Sequence, residues 1–384
     1  MRGNISCRKV AIVVAAVMAV LPTAAFGGQS ASSAGIVAQA KAAVAKAASA
    51  NGTYVLPVAG PTGNPAVKGK NVFVISCGLA AEACAKPAEN VQLAAKTLGW
   101  KVTVYDGKFS ATGYDAGIRQ AIAAKADGIV LVAIDCSNAK GALGAARAAG
   151  VKVVAAYAYD CNDPLIGGPS LFDATINSNG NPDQWATANA KLRADYAIAT
   201  TNGKAKVLSL DQPEFLVAKW WTNAFQARLA LCSTCKLLDH VAFTGNDLVN
   251  NRAAQQLGTA ILRHPDVNVL FVTSDALMQA LLPAIRSAKA KNPKLLVIAN
   301  EGFAATQQLI RQGVADVAVG IYTPWMGWSA ADALNRVFNG QKSIPNQGLG
   351  YHLITKANVP AANTVWAPSL DYQAAFKKIW NSKG

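Results

Sequence analysis

Near-continuous runs of Val, Ile and Leu return along the chain: VFVIS at 72–76, GIVLVAID at 128–135, VKVVAAYA at 151–158, AKVLSLD at 205–211, VNVLFVTSD at 267–275 and LLVIAN at 295–300. Each is followed by a stretch with helical spacing. Strands that are apolar without alternation are buried on both faces, and strand–helix alternation builds right-handed βαβ crossovers in parallel sheets. The pattern therefore predicts a doubly wound α/β protein. Ligands of such sheets lie beyond the carboxyl ends of the strands, so function is to be sought in the residues that follow each run.

The series divides in two. Strands are predicted at 71–76, 101–106, 128–134 and 151–158. After the turn-forming segment CNDPLIGGPS, a second set is predicted at 172–177, 205–210, 237–243, 268–273, 295–299 and 316–321. That number of strands suits two similar lobes better than one very wide sheet. Residues 31–50 read as an Ala-rich surface helix, with a Gly/Pro-rich linker after it. At the other end, the helix in YTPWMGWSAADALNRVFNG, the segment QGLGYHLITKANV and a helix near 371–381 serve as returns and a closing element. The expected division is 1–27 as a leader, 28–70 as helix and linker, 71–172 plus 322–350 as the first lobe, and 173–321 plus 351–384 as the second. Several crossings between two parallel-sheet lobes make a hinge that can close on a ligand.

The leader follows from Arg2, Arg8 and Lys9 ahead of the apolar KVAIVVAAVMAVL, with small residues in Ala25-Phe26-Gly27; it predicts export, with cleavage near Gly27 and no lipid anchor, since Cys7 lies in the basic region. No second long apolar stretch predicts a membrane span. Without residues 1–27 the net charge falls from +15 to +12 over 357 residues. The Lys and Arg are scattered along helices, with neither a nucleic-acid motif nor aromatic-basic interleaving, so no nucleic-acid partner is expected. Six cysteines remain, and an oxidising compartment favours pairing them. Six allow 15 pairings; nearness in sequence and at neighbouring strand ends favours Cys77–Cys84, Cys136–Cys161 and Cys232–Cys235. The CSTC motif at 232–235 follows a helix and precedes a strand, whereas a thioredoxin-like site needs its first Cys at a helix N-terminus.

Catalytic patterns are missing. His240, His264 and His352 have no zinc spacing, and no GxSxG, GxxxxGK[ST] or GxGxxG lies at a strand–helix junction, so neither enzyme activity, metal nor cofactor is expected.

The phrases ISC at the first strand end, AAKTLGWKVTVYDGKFSATGYDAGIRQAIAAKADGIVLVAID, AARAAGVKVVAAYAYD, TSD, ANEG and GIYTP together resemble the type I periplasmic sugar-binding proteins of ABC importers, the ribose-binding protein group, over about 70–355. The resemblance implies two lobes closing on a small polar ligand, a sugar or polyol, and delivery by a monomeric receptor to an inner-membrane permease. The alternatives are a sensory or chemotaxis role and a non-sugar aromatic or acidic ligand. It also implies ligand contacts at strand ends. Asp135 stands where the family has an Asp that takes paired hydroxyls, although an Asp there also suits a helix cap. Glu301 replaces a family Asp, Ser274 precedes Asp275 where Asn-Asp is common, and Lys219 stands near a family Arg. Trp220, Trp221, Tyr322 (for a family Gln) and Trp325 shift the site toward aromatics, with burial in the core as the competing reading. Tyr157 and Tyr159 end the fourth strand, and Glu82 is a weaker candidate.

Overall fold

The apolar runs form two sheets. In the computed structural model, which describes residues 33–60, 62–176, 182–344 and 346–381, β1 (Asn71–Ser76), β2 (Lys101–Asp106), β3 (Gly128–Val132), β4 (Lys152–Ala156) and β5 (Ala174–Thr175) pair in parallel in the order β2-β1-β3-β4-β5. The second sheet contains β6 (Lys206–Asp211), β7 (Lys236–Ala242), β8 (Val269–Val272), β9 (Leu296–Glu301), β10 (Val317–Gly320) and β11 (His352–Thr355). Its order is β11-β10-β9-β8-β6-β7, parallel except for β11 against β10. Strands β3, β8, β9 and β10 are buried at every residue, as their unbroken apolar runs require. The leader lies outside the described residues.

Helices α1 (Ser33–Ala47), α2 (Glu82–Leu98), α3 (Ala111–Ala123), α4 (Lys140–Ala148), α5 (Pro182–Thr200) and α6 (Leu216–Ala230) are followed by α7 (Gly245–Val249), α8 (Arg252–Arg263), α9 (Asp275–Lys291), α10 (Ala304–Arg311), α11 (Thr323–Phe338) and α12 (Tyr372–Asn381). Among the described residues no helix is long and apolar enough to cross a membrane. Helix α11 packs on α2, β4 and β5 and so belongs to the first lobe. Gly327 permits this: a Cβ there would lie 2.4 Å from the Pro87 carbonyl oxygen and 2.7 Å from the Asn90 Cβ.

Two parts of the expected division are corrected. The segment 174–175 is the edge strand of the first sheet, not part of the second lobe. The Asp173 carboxylate accepts the Val153 N–H, and the Ile176 N–H donates to the Ala155 carbonyl, which fixes the segment beside β4. Helix α12, assigned to the second lobe, instead packs on α11. Trp380 stacks on Trp328 with ring centroids 5.4 Å apart and donates its indole N–H to Asp332 at 3.0 Å. An aromatic face on each helix overrides sequence proximity.

The segment ahead of β1 joins both lobes. Helix α1 packs on α5, with Ile36, Ala40 and Ala47 buried, and Asn64 donates to the buried Asp332 carboxylate on α11 at 2.7 Å. Between them the Tyr54 hydroxyl accepts the Tyr322 N–H at 2.6 Å, and the Thr53 N–H donates to the Tyr351 carbonyl at 3.0 Å. The segment thus runs along two chain passages between the sheets.

Candidate functional site

The carboxyl ends of β1, β3 and β4 face those of β6, β8 and β9 across a cavity of about 100 Å³. From the first lobe come Ala133, Asp135 and Tyr157; from the second come Gln212, Ser274 and Glu301. Ala133 (φ 52°), Tyr157 (φ 57°) and Glu301 (φ 52°) all have left-handed backbone. For residues other than Gly that conformation costs of order 1–3 kcal/mol each, and such strain concentrates where a binding surface must be shaped.

Asp135 links the lobes. One carboxylate oxygen accepts the Tyr159 N–H at 3.0 Å; the other accepts the Leu216 N–H at 3.1 Å. Leu216 opens α6, whose own cap residue Phe215 offers no side-chain cap, so the first-lobe carboxylate satisfies an orphan donor at the positive end of a second-lobe helix. It does not cap the short 3-10 turn at Cys136–Asn138 that follows it. The helix-cap reading of Asp135 is therefore corrected to capping across the cleft.

Burial pushes the Asp135 carboxyl up to about 6, against the pull of its two N–H donors. The folded state thus holds this proton more tightly than the unfolded chain does. Its contribution to stability is fully present below the ordinary carboxyl value near 4 and is lost as the pH rises through about 6. The difference amounts to ~3 kcal/mol. Asp135→Asn is expected to flatten the pH dependence of melting between about pH 4 and 7, measured by calorimetric scans of both proteins. An unaltered profile would show that Asp135 does not titrate in that window.

Glu301 makes the second link. Its carboxylate accepts the Tyr157 hydroxyl at 2.7 Å and the Asp275 N–H at 2.8 Å. Burial raises Glu301, while these donors and the Arg193 charge act in the opposite direction. Arg193, on α5, is fully buried; its guanidinium lies 5.1 Å from the Trp221 ring and 4.6 Å from Phe271, and burial lowers it to about 9. At neutral pH it remains the cation beside Glu301, Asp275 and Tyr157. Asp275 is raised well above the usual range by burial and by the Glu301 charge, and it accepts the Phe303 N–H at 2.7 Å.

The remaining surface is mostly apolar. The Cys77–Cys84 disulfide, Ala81, Ala83 and Phe109 form one side, and Phe215, Val217, Ala218, Trp221 and Ala276 form the other. The sulfurs of Cys136 and Cys161 and of Cys232 and Cys235 also lie at bonding distance.

The residues singled out by sequence separate into groups. Asp135, Tyr157, Trp221, Ser274 and Glu301 line the cavity. Ser274 also caps α9 through the Leu277 N–H and donates to Gln212 at 3.2 Å; Asp275 lies buried behind it. Lys219 is exposed, and Trp220 is half-buried and donates its indole N–H across the cleft to Asp163 at 3.3 Å. Tyr159 turns to an adjoining hollow and hydrogen-bonds the Pro182 carbonyl. Trp325 is corrected from ligand contact to core: fully buried, it stacks on Tyr372 at 4.5 Å and donates to the Gln347 carbonyl. Tyr322 and Glu82 are likewise corrected. They line a separate surface hollow with Pro324 and Trp366; the Tyr322 N–H is held by the Tyr54 hydroxyl, and Glu82 stands at the first residue of α2.

Phe109, Gln212 and Phe215 also line the cavity, and Arg193 stands behind it, without being singled out by the sequence. Gln212 directly follows LSLD, and the strand-end rule applied there finds it. Arg193 carries no such signal, because α5 buries Asn189, Arg193 and Asp195 among its Ala residues with no single apolar stripe. His240, His264 and His352 do not line the cavity; His352 stacks on Trp366, and burial lowers it to about 4.

Two α/β lobes with opposed strand ends, hydrogen-bonded across a small cavity, define a two-lobed small-molecule binding protein. Residues 74–342 match the family described as periplasmic binding protein domain, and the chain belongs to that family of binding proteins. Similar solved structures include a galactofuranose binding protein (18% identity, 82% of this chain and 99% of that one, TM-score 0.62). A solute binding protein from Agrobacterium vitis bound with α-D-tagatopyranose is 18% identical over 78% of this chain and 100% of that one, with TM-score 0.66. One from Bacillus halodurans with bound myo-inositol is 14% identical over 78% and 97%, with TM-score 0.64. No curated protein sequence matches the chain.

Proposed function

We propose that this protein is the exported solute-binding receptor of an ABC importer, which closes its lobes on a small hydroxyl-bearing ligand in the periplasm and presents it to a membrane permease. The observation that carries the reading is the pair of carboxylates at the cleft. Asp135 in one lobe accepts an N–H from the other, and Glu301 accepts the Tyr157 hydroxyl from the opposite direction. Carboxylates accept several charge-assisted hydrogen bonds, the chemistry that takes up hydroxyls, and the similar structures are described with sugars and an inositol. The leader at 1–27 supplies export in this reading, the three disulfides belong to an oxidising compartment, and the receptor acts as a monomer.

Melting of purified protein with sugars, polyols and small acids tests it. A true ligand at 100 times its Kd adds about 2.7 kcal/mol and raises the melting temperature by several degrees. Failure of every small molecule to shift melting would remove the receptor reading.

A further inference from the structure

We propose that the ligand of this cleft is a compact, sparsely hydroxylated molecule, an apolar ring or short branched chain with one or two hydroxyl or ammonium donors, rather than a fully hydroxylated sugar. This rests on the reading of the cleft as the ligand site. Its size favours a small ligand: the cavity of about 100 Å³, partly open to solvent, is smaller than the roughly 150 Å³ that admits benzene in an apolar protein interior. A six-membered ring with one short substituent extends into that opening, and a bulkier ligand requires the cross-cleft hydrogen bonds to break.

The walls limit its polarity. The Cys77–Cys84 disulfide and Phe109 on one side and Trp221 on the other offer sulfur and ring faces, with Gln212 the one side-chain amide and no guanidinium among the described lining residues. A hexose or inositol has a hydroxyl on nearly every carbon, and each one buried against such walls without a partner lowers affinity by roughly ten-fold.

The remaining polar valences are mainly acceptors. Asp135 and Glu301 are carboxylates; the Tyr157 hydroxyl already gives its hydrogen to Glu301, and Ser274 gives its own to Gln212. The donors that remain among the lining side chains are the amide N–H groups of Gln212, whose oxygen is taken by Ser274, and the buried indole N–H of Trp221. Among the described residues no Lys, Arg or His lines the cavity, so an anionic ligand finds no counter-charge. The ligand therefore presents an apolar surface and supplies hydrogens to Asp135 and Glu301.

The test is titration calorimetry of the wild-type protein with cyclohexanol, benzyl alcohol, cyclohexylamine and benzylamine, set against D-galactose, L-arabinose, myo-inositol and benzoate. The expected result is that an alcohol or amine binds at least 100-fold more tightly than any sugar or inositol, with no benzoate binding. Comparing the alcohol and amine arms identifies the donor. Trp221→Ala is expected to weaken that ligand ten-fold or more. Phe109→Ala, at a half-exposed position, is expected to weaken it in the same direction with little change in melting. Tight binding of a sugar or inositol with none of the apolar alcohols or amines would overturn the proposal and leave the receptor reading standing. Failure of all eight compounds to bind would overturn the proposal, and the receptor reading falls with it only if the wider melting screen also finds no ligand.

Discussion

Arg193→Met is expected to destabilise the protein by about 3–5 kcal/mol, the scale for removing one partner of a buried charge group. The guanidinium has no exposed surface and stands beside Glu301, Asp275 and Tyr157, against the faces of Trp221 and Phe271. Methionine keeps much of the volume and removes the charge. Glu301 then retains the Tyr157 hydroxyl and the Asp275 N–H but has no cation to offset its burial. Protonating Glu301 relieves this strain, so the loss should be greater at pH 8 than at pH 5. Urea unfolding at both pH values checks it, with Arg193→Met combined with Glu301→Gln expected to recover part of the loss. A loss below about 1 kcal/mol at pH 8 would show that Arg193 is not the counter-charge of the cleft.

Asp135→Ala is expected to lower ligand affinity by about 1.5–3 kcal/mol, roughly 10- to 150-fold, through lost charge-assisted hydrogen bonds. Stability without ligand should change little. The variant loses bonds from Tyr159 and Leu216, but it also loses a buried carboxylate whose rise from 3.8 to about 6 represents ~3 kcal/mol of opposing cost at neutral pH. Titration calorimetry and melting of the same samples separate the two effects. A large fall in melting temperature with unchanged affinity would make Asp135 purely a cap for α6.

These expectations show which parts of the molecule the sequence makes legible. VFVIS, GIVLV and LLVIAN identify buried parallel strands because lipophilic side chains are needed on both faces, and the strand-end rule leads directly to Asp135, Tyr157, Ser274 and Glu301. The two-residue β5 gives no apolar run. Its place depends on a single carboxylate, Asp173, bonded to β4. Trp221 and Trp325 are alike in sequence, both on helices near polar residues. One reaches the cavity and the other is enclosed by Tyr54 and Tyr372, a difference set by which helices cross there. The place of α12 is not legible for the same reason, since the Trp328–Trp380 stack is a long-range pairing. The left-handed backbone at Ala133, Tyr157 and Glu301 leaves no mark, because none is Gly. Arg193 stays hidden because its helix is buried on several sides.

In the proposed receptor the lobes close on a ligand held between Asp135, Glu301 and Trp221. The direct measurement is small-angle X-ray scattering of protein refolded from denaturant to remove any resident ligand, before and after addition of the compound that raises its melting temperature most. The expected result is a smaller radius of gyration on binding in the wild type, and a weakened response in Asp135→Ala and Trp221→Ala. A compound that binds tightly with no change in the radius, and with the same affinity for both variants, would contradict it.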